Sequence, residues 1–222
     1  MTTSAGVTVG ATLFSVLVSV VPVATVASAG MSLTPPFSAA AFSSAAYSQT
    51  AGSEVQRDVN QQTRIEQGLR SGELSTREAA RLERGEARVE RMQANALADG
   101  KLSDAEKRRI ERAQNTMSQR IYREKHDAQK ADPSSASSRR MAADVQRNVN
   151  QQERIEQGVQ SGELTNHEVA KLERGQVHVD RLEARAGADG HVGAHEQQRI
   201  QHVENRQSRR IFREKHDVQT RD

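Results

Sequence analysis

The side chains best placed to do chemistry fall in two short patterns. Arg123-Glu124-Lys125-His126-Asp127 returns unchanged as Arg213-Glu214-Lys215-His216-Asp217. An imidazole beside a carboxylate invites a catalytic reading, but neighbours on a helix point about 100° apart. Ser118 also lies two turns away, with no evident oxyanion donor. The block is expected instead to cap a helix end, whose free carbonyls favour Lys and His, or to form a contact surface. The stake residues are Arg123, Lys125, His126 and Asp127, with Arg213, Lys215, His216 and Asp217. The second pattern is a concentration of histidine, with six of the seven in the last third of the chain. His191, His195 and His202 could share a helical face and bridge a transition metal. Gly193 argues that residue 191 precedes that helix, so surface residues are the preferred reading. There is no cysteine, which excludes thiolate nucleophiles and thiolate metal sites.

These residues sit in a duplicated frame. Residues 55–129 and 145–219 align without a gap at an offset of 90, with 42 of 75 positions identical. Apolar positions at helical spacing (Val55, Val59, Leu69) predict a first helix over 54–70. Gly72 ends it. Ser75 with Glu78 then forms a capping box that starts a second helix over 76–97. Asp99-Gly100 turns the chain, and Ser103 with Glu106 repeats the box. The third helix carries the seam Ile110, Ala113, Met117, Ile121. The second copy has Gly162, Thr165 and Glu168, then Gly190, Gly193 and Glu196. The expected fold is all-α, a tandem duplication of a three-helix unit with short glycine-containing turns. Unit 1 spans 54–129, unit 2 spans 144–219, and residues 130–143, with Pro133 and several serines, link them. Each unit has few large apolar residues, so the units are expected to dock together or the chain to self-associate. Leu97 becomes Gly187 and Met117 becomes Gln207, which predicts looser packing in the second unit.

In a twelve-position frame, residues 95–106 place Asn95, Asp99, Ser103 and Glu106 at positions one, five, nine and twelve, with Gly100 at the sixth and Leu102 at the eighth. This resembles the EF-hand calcium loop. The resemblance implies calcium as the cofactor, with Asn95, Asp99, Ser103 and Glu106 as ligands and Glu106 supplying two oxygens. Leu97 stands at the third ligand position, and Arg185 and Gly187 at the first and third positions of the matching loop 185–196. The turns at Gly72 and Gly162 carry Gln67 and Gln157 first. Capping alone accounts for most of this pattern without any cofactor. The chain is also similar to duplicated exported proteins of proteobacteria, a likeness that implies no activity.

Charge and composition bound the rest. No charged residue precedes Glu54. Residues 7–26 are mainly apolar and end in Ala27-Ser28-Ala29, which predicts a signal peptide over 1–29 and a periplasmic or secreted protein. An uncleaved membrane anchor is the alternative. Residues 30–53, rich in Ser and Ala, are expected to be a disordered spacer. Residues 54–130 hold 17 basic and 14 acidic side chains and residues 144–219 hold 12 and 13, with the signs interspersed. With aromatics at 3%, no specific nucleic-acid partner is expected, only weak contact with an anionic surface. The preferred function is a non-enzymatic exported interaction or scaffold protein with a protein partner. The alternative is a weak or vestigial EF-hand-like calcium-binding protein.

Overall fold

A computed structural model describes the backbone of residues 39–217 and the side chains of residues 51–217; the expected signal peptide lies outside them. Six helices and no strand are found among the described residues. They are α1 (Ala39–Ser71), α2 (Thr76–Ala96), α3 (Asp104–Lys125), α4 (Ala136–Ser161), α5 (Asn166–Ala186) and α6 (Ala194–Lys215). The all-α duplication of a three-helix unit is therefore the observed architecture. None of these helices is long and apolar enough to cross a membrane.

Local chemistry sets the helix ends. Ser75 N–H donates to Glu78 Oε2 at 2.8 Å, and Glu78 N–H donates back to Ser75 Oγ at 3.2 Å. Ser103 with Glu106 and Thr165 with Glu168 repeat this reciprocal cap. At α6 only half of it survives, Gly193 N–H donating to Glu196 Oε2 at 2.9 Å. Gly72, Gly100, Gly162 and Gly190 all take positive φ, between 77° and 93°, where a Cβ would be strained.

Two helices begin earlier than their apolar periodicity indicates. α1 starts at Ala39, inside the segment expected to be a disordered spacer. Alanine is the strongest helix former, no proline follows Pro36 before α1 ends, and Gly52, the one glycine between Ala39 and the apolar stripe, costs only about 1 kcal/mol. Ala51 and Val55 are also buried against the second repeat. α4 starts at Ala136, inside the expected linker, because Ser135 serves as its N-cap by accepting from Ser138 N–H at 3.0 Å.

The repeats interleave. α1 packs along α4, and α2 along α5, while α3 covers α1 and α2 and α6 covers α4 and α5. Both central pairs are antiparallel: Ala51 and Val55 meet Ile155 and Val159, whereas Ile65 and Leu69 meet Met141 and Val145. Gly187 permits the close crossing of α5 on α2, since a Cβ there would lie 2.9 Å from Ala80 Cβ and 3.1 Å from Thr76 O. The expected looseness at Gly187 is thus absent, because the missing side chain is replaced by a neighbouring helix. Two apolar clusters result, toward opposite ends of the central helices, and each draws on both repeats.

Candidate metal centre

Between these clusters the four central helices turn polar side chains inward. On α2, Glu83, Glu86, Glu90 and Gln93 lie between Leu82 of one cluster and Ala96 of the other. On α5, Glu173, Gln176, Asp180 and Glu183 occupy the same interval. Asp58 and Gln62 of α1, with Asn148 and Gln152 of α4, complete the layer, and all twelve are at most 2% exposed. Helical periodicity explains the placement. Glu83, Glu86, Glu90 and Gln93 share one face with Ala79 and Leu82, so they turn in with the apolar stripe.

Amides serve as the donors of this layer. Gln62 Nε2 donates to Glu83 Oε2 at 3.0 Å, and Gln152 Nε2 to Glu90 Oε1 at 2.9 Å. Asn148 Nδ2 donates to both oxygens of Glu183, at 3.0 and 2.9 Å, and to Asp180 Oδ1 at 3.3 Å. Gln93 and Gln114 hold Asp58 at 2.7 and 2.9 Å. No Lys or Arg side chain among the described residues is buried. Both oxygens of Glu86 remain without a hydrogen-bond partner, whereas Glu83 meets Glu183 and Glu90 meets Asp180 as carboxyl pairs that a retained proton joins.

Electrostatics follow from that imbalance. Burial pushes the Glu83 and Asp58 carboxyls up to about 7, against the pull of their amide donors. Glu90 rises to about 8, with burial the main cause and the Asp58 and Glu83 charges adding to it. Glu86, Glu173, Asp180 and Glu183 are raised as well, first by burial and then by neighbouring carboxylates. Such a layer must either retain protons or take up cations.

Glu83, Asp180 and Glu183 each bring a carboxylate oxygen within 4.8 Å of the other two. Oxygens bound to one calcium ion at 2.3–2.6 Å are no more than about 5 Å apart, so the three fit around a single ion. With neither imidazole nor thiolate in the group, it suits hard cations such as calcium, magnesium or manganese. Four-helix cores commonly build metal sites from facing carboxylates in this way.

The residues singled out in the sequence lie elsewhere. In the turn 95–106, Asp99 Oδ1 accepts from Lys101 N–H at 3.0 Å, and Glu106 Oε2 accepts from Ser103 N–H at 3.0 Å. Leu97 and Leu102 are buried. The turn docks on the start of α5, where Asn166 Nδ2 donates to Gly100 O at 3.1 Å. Neither Asp99 nor Glu106 joins a group of three metal-competent acids or histidines among the described residues. His178, His195 and His202 are exposed beside α5 and α6, and no histidine enters such a group either.

The duplicated block closes each repeat on itself. Lys125 Nζ pairs with Glu73 Oε2 at 3.2 Å, and Lys215 Nζ with Glu163 Oε2 at 3.3 Å. His126 stacks on Tyr122 and His216 on Phe212, with ring centroids 4.0 and 4.2 Å apart. Glu124 and Asp127 approach the capping Glu78, and Glu214 and Asp217 approach Glu168, within 4.8 Å in each set. No family model, curated protein or solved structure matches the chain.

Proposed function

We propose that this is a non-enzymatic helical protein that binds a hard divalent cation, calcium foremost, in the carboxylate layer between its two repeats. The observation that carries this reading is the convergence of Glu83, Asp180 and Glu183 in an interior where no cationic side chain among the described residues is buried. A divalent ion there would neutralise carboxylates whose charged forms burial otherwise opposes. Calcium chemistry thereby moves from the EF-hand-like turns to the helices. An exported location is part of the proposal, supported by the apolar stretch 7–26 and Ala27-Ser28-Ala29.

Calorimetric titration of the full chain with calcium, manganese, magnesium and zinc tests it, alongside thermal melts. Saturable binding that survives Glu106→Gln but is lost in Asp180→Asn and Glu183→Gln is the expected result. Loss in Glu106→Gln alone would return the site to residues 95–106. Silence toward every ion would leave a protonated core in a scaffold protein. That second reading draws on one further observation: Tyr122 and Phe212, equivalent residues beside the duplicated block, are 57% and 60% exposed and offer a protein partner two matched aromatic contacts.

A further inference from the structure

The folded exterior is far more basic than the formal net charge of +3 suggests. Fourteen of the 29 acidic residues are buried, whereas none of the described Lys or Arg side chains is. On α5 and α6 the separation is sharpest. Glu173, Asp180, Glu183 and Glu204 turn inward, and the arginines of the same helices face out. Arg174 and His178 of α5, with Arg206, Arg209, Arg210 and Arg213 of α6, line a cavity of about 510 Å³. It adjoins a second of about 630 Å³, where Arg199 and His202 stand over Leu182 and Val203. No acidic side chain lines either cavity.

Among the described residues these guanidinium groups have no ion pair or hydrogen bond. Other arginines do: Arg154 donates to Ser208 Oγ at 3.0 Å, and Arg140 to Val192 O at 2.9 Å. Gathering unpaired like charges in one groove raises its potential and costs self-repulsion that an anion would relieve. The first repeat carries as many arginines at the equivalent positions, Arg88 and Arg112 replacing His178 and His202, but Thr116 and Gln119 interrupt its row where the second has Arg206 and Arg209. There Met117 also packs against Gly85, whereas Gln207 turns its amide inward to Leu172 O at 2.8 Å.

We propose that the α5–α6 groove binds single-stranded nucleic acid through its phosphates, without regard to sequence. Arginine matches phosphate in charge and in its forked geometry. From Arg199 to Arg213 the row runs about 21 Å along the helix, long enough for several phosphates of one strand. A concave furrow lined by arginines suits the flexible backbone of a single strand better than the rigid flank of a duplex. The apolar floor at Leu182 and Val203, with histidine and guanidinium planes above it, can receive unstacked bases.

The test is fluorescence anisotropy of a labelled oligothymidylate with the full chain, across a salt series. Binding should weaken steeply with salt, and the pair Arg206→Glu with Arg210→Glu should weaken it about tenfold or more. The control pair Arg81→Glu with Lys130→Glu makes the same charge change at exposed positions that line neither cavity and should cost less than about threefold. Arg206→Gln with Arg210→Gln, checked by thermal melt, should show the same order of loss should the Glu pair fail to fold. Equal losses from groove and control pairs would overturn the proposal in favour of a diffuse basic exterior. Absence of oligonucleotide binding would overturn it too, and anionic vesicles bound in its place would make the groove a membrane contact.

Discussion

The two repeats share a backbone scheme but divide the polar interior differently. Asp58 on α1 accepts from Gln93 on α2, while their counterparts reverse the roles, Asn148 on α4 donating to Glu183 on α5. Glu86 faces the layer where Gln176 does in the second copy, and Gln114 stands where Glu204 does. At each of these positions one repeat supplies an acid and the other an amide. Five buried positions keep an acid in both copies: Glu54 and Asp144, Glu66 and Glu156, the capping Glu78 and Glu168, Glu83 and Glu173, Glu90 and Asp180. The alternation limits how many carboxylates share one desolvated layer, since each added buried charge costs more than the last. The positions that escape this limit include Glu83 and Asp180, two members of the candidate metal triad.

The largest expected effect tests whether those acids hold protons or a cation. Folding lifts Asp58, Glu83 and Asp144 to about 7 and Glu90 and Glu204 to about 8, from ordinary values of 3.8 and 4.5. In that window the folded state keeps protons that the unfolded chain has released. Their contribution is fully present below about pH 4 and is lost as pH rises through 7 to 8. Each such proton gives a slope of about 1.4 kcal/mol per pH unit. Urea unfolding of the cation-free protein should therefore show stability falling from pH 5 to pH 8 by several kcal/mol. Saturating calcium should flatten that slope and release protons, measurable as buffer-dependent binding heat. A calcium-insensitive slope would mark the layer as a purely protonated network.

A smaller effect comes from exchanging one position between repeats. Glu86→Gln gives the first repeat the residue of the second at a site where neither Glu86 oxygen has a partner. Removing that unsatisfied buried carboxyl should stabilise the cation-free protein by about 1–3 kcal/mol at pH 8 and leave the metal triad in place. Gln176→Glu should destabilise it by a similar amount. Equal and small responses to both changes would mean that the layer is hydrated and that its division between repeats carries no cost.

Turns and caps were legible because they are local. Gly72 with Ser75 and Glu78 states its own geometry within seven residues, and the offset of 90 exposes the same signature twice. The interior was not. Nothing in their immediate neighbours marks Glu86 and Glu90 as buried, since a carboxylate on an amphipathic helix ordinarily faces water. Only the antiparallel meeting of α2 with α5 turns them inward, and no apolar stripe names the helix it will face. The arginine groove was hidden by the same fact. Along the chain Arg174 is cancelled by Glu173 and Arg206 by Glu204, yet in the fold one member of each pair is inside and the other outside. Spacing did carry a signal. Glu83, Glu86 and Glu90 share the face of Ala79 and Leu82, a place where repeated acids need either protons or a cation.

The smallest effect lies at the helix starts. Three of the four repeat-equivalent caps have a hydroxyl, on Ser75, Ser103 and Thr165, and the fourth is Gly193, which keeps only the backbone half of the box. Its φ of −75° is open to any residue, and a new Cβ would meet only Glu196 Oε2, at 3.3 Å, the far end of a flexible side chain. Gly193→Ser should therefore restore the cap and stabilise the protein by a few tenths of a kcal/mol. The converse change, Ser103→Ala, should cost about 1 kcal/mol. Because both apolar clusters draw on both repeats, each change should move one cooperative unfolding transition. If Gly193→Ser shifted only a second, separate transition, the repeats would be folding independently and the interleaved core would not couple them.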